Sequence, residues 1–238
     1  MNNWELAQAL VFEPRKAFAE IAERPRWFFP LALVIVATVG TLVWYMSVVD
    51  LAWLTDQQLR QGSGARRLSE EQIAQVAQAA AGRNGIVATM YGIGYTLLLA
   101  IFMLLWALYY LIAGNITNVR RSYGQWFALT CWTSLPTALN AIPAAIVLFS
   151  ATSSQIPQES LQPLSLNALF FHRAAGEPGY AILANLSVLY LLSTFLTILG
   201  IRIWSGRSWL YAIIIWLTPI ALLVGLVWSV VRAISGGT

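Results

Sequence analysis

The sequence predicts an all-α integral membrane bundle of five transmembrane helices with an N-terminal interfacial amphipathic helix, and three observations predict it. Residues 27–49, 86–114, 124–149, 180–201 and 209–231 are each long and apolar enough to span a bilayer, and none of them contains an Asp, Glu, Lys, Arg or His. A hydrocarbon core of about 30 Å needs about 20 residues of helix, and backbone amides inside it must be satisfied within the segment. The composition agrees: 58% of the 238 residues are hydrophobic and only 10% charged, against about 25% charged in soluble domains. Finally, Trp27, Trp44, Tyr45, Tyr109, Tyr110, Trp126, Tyr180, Trp204, Trp209 and Trp228 sit near the span ends, as rings that seek the membrane interface do.

The chain divides into a cytoplasmic amphipathic segment, 1–26, and a five-span membrane domain, 27–238, with outer loops at 50–85 and 150–179. In the first segment Trp4, Ala7, Leu10 and Val11 recur at helical spacing, as do Ala17, Phe18 and Ile21 after Pro14. Glu5, Glu13, Lys16, Glu20 and Glu23 take the other side. Such a segment lies along the membrane surface or packs on the ends of the spans. Trp4, Leu10 and Phe18 are its candidate partner face, while an interfacial helix that only sets the entry angle of the first span needs the same residues. The first span begins after 26 polar-to-amphipathic residues with no small-residue cleavage site behind it, so a removable signal peptide is not expected.

In loop 50–85, Gly62-Ser63-Gly64 is a break and Leu68-Ser69-Glu70-Glu71-Gln72-Ile73 reads as a helix start. Ser69 caps the amide three residues on, Gln72 reaches back, and Leu68 staples onto Ile73. Ile73, Val76, Ala77 and Ala80 then line one apolar face, with Gly82 and Gly85 ending the helix. The expected result is a short helical lid over the outer ends of the spans. Loop 150–179 carries Pro157, Pro163 and Pro178 and an apolar run, 164–171, too short to span and so an interfacial or re-entrant turn. The single histidine, His172, has no second ligand at a metal spacing and reads as a surface residue.

Three patterns lie within the spans. In the second, Ala88, Gly92, Thr96 and Ala100 repeat every four residues, a small-residue ridge for close helix contact. The contact is either intramolecular or the seam of a homo-oligomer. In the third, Thr130, Thr133, Thr137 and Asn140 share a stripe, matched in the fourth by Ser187, Tyr190, Thr194 and Thr197. Pro136 and Pro143 kink the third span, because each removes an amide and displaces the carbonyl four residues earlier. The two stripes are expected to meet, either as interhelical glue or as a polar crevice for a lipid head group or small solute.

Catalysis is poorly supplied. All ten acids lie outside the spans, and there is one Cys, Cys131, one His, no His-Glu-x-x-His, no Gly-x-Ser-x-Gly and no phosphate-cradling loop. No metal, cofactor or disulfide is expected, and the scattered net charge of +4 points away from nucleic acid. Placing the N-terminus inside puts Arg15, Lys16, Arg24, Arg26, Arg120, Arg121, Arg202 and Arg207 in the short inner segments. It leaves Arg60, Arg66, Arg67, Arg83, Arg173 and Arg232 in the longer outer ones. Basic residues stay on the cytoplasmic side, so the C-terminus is expected outside. That topology also puts the glycosylation-like Asn115-Ile116-Thr117 on the cytoplasmic side.

Phe12-x-Pro14-x-x-Ala17-Phe18-x-x-Ile21, followed by Arg24-Pro25-x-Trp27-x-x-Pro30, resembles the opening of bacterial members of the Yip (Ypt-interacting protein) domain family. Arg121-Ser122-Tyr123-Gly124-Gln125-Trp126 leading to Ser134-Leu135-Pro136 is similar to that family's third span, and Trp204-Ser205-Gly206-Arg207-Ser208-Trp209 to its last short loop. The resemblance implies a multi-pass protein of the bacterial inner membrane, with Pro14, Phe18, Pro30, Gly124 and Pro136 as architecture. Eukaryotic relatives are adaptors connected with Rab-type GTPases. Their long acidic N-terminal region and Asp-Leu-Tyr-Gly-Pro box are missing here, so that partner is not carried over. The expectation is a non-enzymatic adaptor or organiser whose partners are membrane lipids and other membrane proteins. The alternative is a transporter, channel or lipid-handling protein using the crevice between spans three and four.

Overall fold

The structure, a computed structural model, describes residues 1–61 and 68–235. Gly62-Ser63-Gly64, with Arg66 and Arg67, lies outside them. The helices are α1 (Asn3–Phe12), α2 (Pro14–Glu23), α3 (Phe28–Val48), α4 (Leu51–Gln61), α5 (Glu70–Ala80), α6 (Asn84–Ile116), α7 (Tyr123–Thr133), α8 (Leu135–Ala138), α9 (Ala141–Ser150), α10 (Tyr180–Asn185), α11 (Val188–Ser205) and α12 (Trp209–Ser235). Among the described residues there is no strand, only an isolated antiparallel bridge between Ser165 and Ser187. Five stretches are long and apolar enough to cross a membrane: α3, α6, the α7–α9 series, α11 and α12. At 33 residues, α6 is about 50 Å long and exceeds a hydrocarbon core.

Two compact units are woven from alternating segments. The first comprises Met1–Pro30, Phe102–Thr133 and everything from residue 193 onward; the second comprises Leu31–Ile101 and Ser134–Leu192.

In the first unit, Asn2 opens α1 with a reciprocal cap: its side chain accepts from the Glu5 amide, and the Glu5 carboxylate accepts from the Asn2 amide, both at 2.8 Å. Pro14 occupies the first turn of α2, where its missing N–H costs nothing, and it forces Glu13 out of the helix. The N-terminal segment is therefore two helices. Their buried faces are Leu6, Ala9 and Leu10 on α1, and Ala17, Phe18 and Ile21 on α2. In α12, Pro219 cannot donate to the carbonyl of Ile215, and the Tyr109 hydroxyl supplies that bond instead at 2.7 Å. After α6, Asn118 takes a left-handed conformation at φ 60°, with Val119 N bonded to Gly114 O and Asn118 N to Asn115 O. This is a Schellman ending.

In the second unit, Tyr45, Met46, Val49, Leu51, Leu54, Ala88, Leu148 and Ile156 form a core. Gly92 of the small-residue ridge faces α3, where an added Cβ would lie 2.9 Å from Val43 Cγ2. The Asn84 amide donates to the carbonyls of Met46 and Val49 at 2.9 and 2.8 Å, and so closes the C-terminal end of α3. Helix α4, not anticipated from the sequence, pairs with α5 as a hairpin. Arg60 bridges Asp56 and Glu70, both at 2.8 Å, and these carboxylates hold its guanidinium above the ordinary arginine range, the Asp56 hydrogen bond first. The Ser69–Gln72 capping box is present, but α5 buries Ile73 and Ala77 while Val76 is exposed.

The fourth spanning helix starts at Val188 rather than at Tyr180. Leu166 N donates to Leu186 O at 2.7 Å and Val188 N to Leu164 O at 3.0 Å, so 186–188 pairs as extended chain and separates α10 from α11. The apolar run before it is one π-type turn, Asn167–Phe171, ending at His172 with φ 51°.

Candidate functional site

The hydroxyl stripes are distributed between the two units. In the first unit Thr130 bonds Trp126 O at 3.0 Å, Thr133 bonds Leu129 O at 2.9 Å, and Thr197 reaches both Thr133 Oγ1 and Ser193 O at 2.9 Å, with Thr194 half-buried nearby in sequence. In the second unit Thr137 bonds Ser134 O at 2.7 Å, Asn140 reaches Ser187 Oγ at 3.4 Å, and the Tyr190 ring is exposed. Most of these side chains are thus engaged by the backbone of their own helix or by one another. Interruptions fall at Ser134 and at Leu139–Asn140, where i to i+3 bonds such as Leu139 N to Pro136 O replace helical ones. Pro136 sits in the first turn of α8, and Pro143 within α9. Of the small-residue ridge, Ala88 is buried in the second unit's core, and Thr96 bonds the Gly92 carbonyl at 2.7 Å.

The drawn partner face needs correction. Leu10 and Phe18 are buried, because α1 and α2 turn them into the first unit; Trp4 remains exposed, with its ring edge-on to Phe29 at 5.2 Å. Val11 and Phe12 are the other large apolar side chains that α1 leaves exposed. Beside them a groove of about 290 Å³ is lined by Met1, Glu5, Gln8, Ala9, Phe12, Glu13 and Lys16.

The stronger constellation is one that local reading missed. The Phe18 ring sits over Gly200 of α11, where a Cβ would approach Phe18 Cε1 to 2.7 Å and Leu129 Cδ1 to 2.9 Å. Trp204 Nε1 donates to Phe18 O at 2.9 Å, and Gln125 Nε2 to Ala22 O at 2.6 Å, satisfying a carbonyl that the end of α2 leaves open. Trp132 Nε1 donates to Arg26 O at 2.6 Å. Ser122 and Gln125 cap α7 reciprocally, and Arg121 lies 5.3 Å above the Trp204 ring, which meets Trp126 edge-on at 5.2 Å. Gly206 turns the chain at φ 66°, Ser208 caps α12, and Arg207 donates to Thr117 O.

A model of the Yip1 domain family matches residues 8–231, almost the whole chain. The chain belongs to the Yip1 domain family. No curated protein and no solved structure matches it. Within this Yip1 domain, the three sequence stretches that carried the resemblance come together in the first unit: the α2 stretch through Phe18 and Ala22, the α7 stretch through Arg121, Gln125 and Trp126, and the α11–α12 turn through Trp204. Only long-range partners reveal this; the available local signal was the tryptophans that flank the two short loops, Trp126, Trp204 and Trp209. Among the described residues of this Yip1 domain, no group of His, Cys, Asp and Glu is placed to hold a metal ion. The Yip1 domain is a membrane domain, all-helical and multi-pass.

Proposed function

We propose that this Yip1-domain protein works by association, as a non-enzymatic adaptor or organiser of other membrane components. It acts in the bacterial cytoplasmic membrane with its N-terminus inside and its C-terminus outside. One observation carries the reading: the three family stretches meet in side-chain-to-backbone hydrogen bonds and ring contacts that fasten α2, on which α1 packs, and this supports the N-terminal helices as a platform. Trp4, Val11 and Phe12 are the apolar side chains this platform presents, and they replace Leu10 and Phe18 as the surface for another membrane protein. The polar stripes support no second reading, since most of their side chains are engaged within each unit.

Native mass spectrometry of the protein, gently extracted from its own membrane, tests the proposal. A foreign subunit at fixed stoichiometry is expected, lost on Trp4→Ser with Phe12→Ser while helix content and melting are kept. The chain alone or in self-complexes, under every extraction condition, refutes it.

A further inference from the structure

The two short loops of the first unit, 117–122 and 206–208, hold or adjoin Arg120, Arg121, Arg202 and Arg207, and there is no acid between 117 and 122 or between 202 and 208. Among the described residues none of the four arginines makes an ion pair; the paired cations are the N-terminus, Lys16, Arg26 and Arg60. The first unit as a whole carries nine Lys and Arg against four acids, all four acids being Glu on the N-terminal segment, whereas the sequence of the second carries five against six.

Three of these guanidinium groups lie over aromatic rings, their Cζ atoms 5.3 Å from the Trp204 centroid for Arg121, 4.5 Å from that of Trp209 for Arg202 and 4.7 Å from that of Tyr211 for Arg207. A ring over the face of a guanidinium takes up none of its N–H donors, and two of these in parallel are what grips a phosphate. A guanidinium has five N–H donors, and Arg207 commits only Nη2, to Thr117 O. Arg202 Nε is buried with no partner. The loops are tied to each other by that Arg207 bond and by the Tyr211–Thr117 hydroxyl contact at 2.6 Å. Both lead into helix N-termini, at Tyr123 and Trp209, whose positive poles add to the field.

We propose that these loops form a binding site for the phosphate of an anionic phospholipid, with Arg120, Arg121, Arg202 and Arg207 as its cationic groups. The lipid is favoured over a soluble phosphate by position. Both loops join helices that are long and apolar enough to cross a membrane, and the flanking rings of Tyr123, Trp204, Trp209 and Tyr211 are of the kind that settles at head-group depth. The arginines therefore sit where lipid phosphates are.

The test is native mass spectrometry of the full chain released from vesicles of phosphatidylcholine mixed with phosphatidylglycerol, comparing the retained lipids. The wild type retains phosphatidylglycerol preferentially. Each exposed arginine replaced, Arg120→Gln or Arg207→Gln, lowers the enrichment about five-fold, as expected for one surface cation against an anionic head group. Arg120 is exposed, so Arg120→Gln keeps the test open if Arg207→Gln, which also loses the bond to Thr117 O, does not fold. Arg207→Lys, which keeps the charge and loses the fork, gives an intermediate loss. Changing Arg60, Arg83 and Arg173 to Gln leaves the preference intact. Equal retention of both lipids by the wild type, or equal losses from the second-unit arginines, overturns the proposal. If millimolar inorganic phosphate displaces the retained lipid, the site belongs to free phosphate and the lipid assignment falls.

Discussion

Replacing Gly200 by Ala tests the docking of α2 at its tightest point. The added methyl carbon would stand 2.7 Å from Phe18 Cε1 and 2.9 Å from Leu129 Cδ1, where carbon atoms normally rest about 3.5–4.0 Å apart. Leu129 can swing its terminal methyl away. Phe18 is fully buried, so its ring can retreat only by lifting α2 or entering a strained rotamer. Overpacking of this kind costs about 1–3 kcal/mol. The assay is thermal unfolding of the detergent-solubilised protein, run with tryptic cleavage after Arg26 to report release of the N-terminal segment. Phe18→Ala alone costs about 3–5 kcal/mol, the range for emptying a buried aromatic site. The decisive comparison is the double variant: once the ring is gone, the alanine at 200 fills the vacated space and its own penalty disappears, giving a coupling of about 1–3 kcal/mol. A Gly200→Ala protein as stable and as protease-resistant as the wild type, or penalties that simply add, would refute the close approach on which the site rests.

Other contacts give separate expectations. Asn84→Ala removes both bonds to the carbonyls of Met46 and Val49 and should cost about 1–3 kcal/mol, read as a lower melting temperature with faster hydrogen exchange at the end of α3. Tyr109→Phe strands the Ile215 carbonyl at a cost of about 0.6 kcal/mol; in a Pro219→Ala background the helix restores its own bond and the cost should vanish, which a double-mutant cycle of melting curves measures. Asn140→Leu should change stability by no more than about 0.6 kcal/mol and leave every retained lipid or partner in place, because its 3.4 Å bond to Ser187 is long; selective loss of a bound solute on native mass spectrometry would revive the crevice.

The five spanning stretches were readable because the bilayer imposes a local rule: each backbone amide must be satisfied nearby, so a charge-free run of sufficient length is a helix. The Ser69 cap was readable for the same reason, its partner being three residues away. The start of the fourth span was not. Residues 180–201 carry no charge and nothing local that breaks a helix, and what separates Asn185 from Val188 is pairing with Leu164 and Leu166 across the preceding loop. Helix α4 was hidden because Leu51 and Leu54 are its only buried residues, too few to set a period. The phase of α1 was misread since apolar side chains surround it; Leu6 and Ala9 face inward and Trp4 and Val11 outward, a choice made by α2 and the spans. The candidate site lies at the far end of this scale. Gln125 is 103 residues from Ala22, and Trp132 is 106 from Arg26, so no window of local sequence contains both partners.

The bond from Trp204 to Phe18 joins residues 186 apart in the chain. At elongation rates of about 5–20 residues per second, a ribosome needs about 10–40 s after Phe18 is made before Trp204 exists. Throughout that interval Phe18 of α2 has neither Gly200 nor Trp204 to receive it. The N-terminal segment is thus the first part of the protein to be synthesised, and its contacts with α11 can form only once the fourth span has been made.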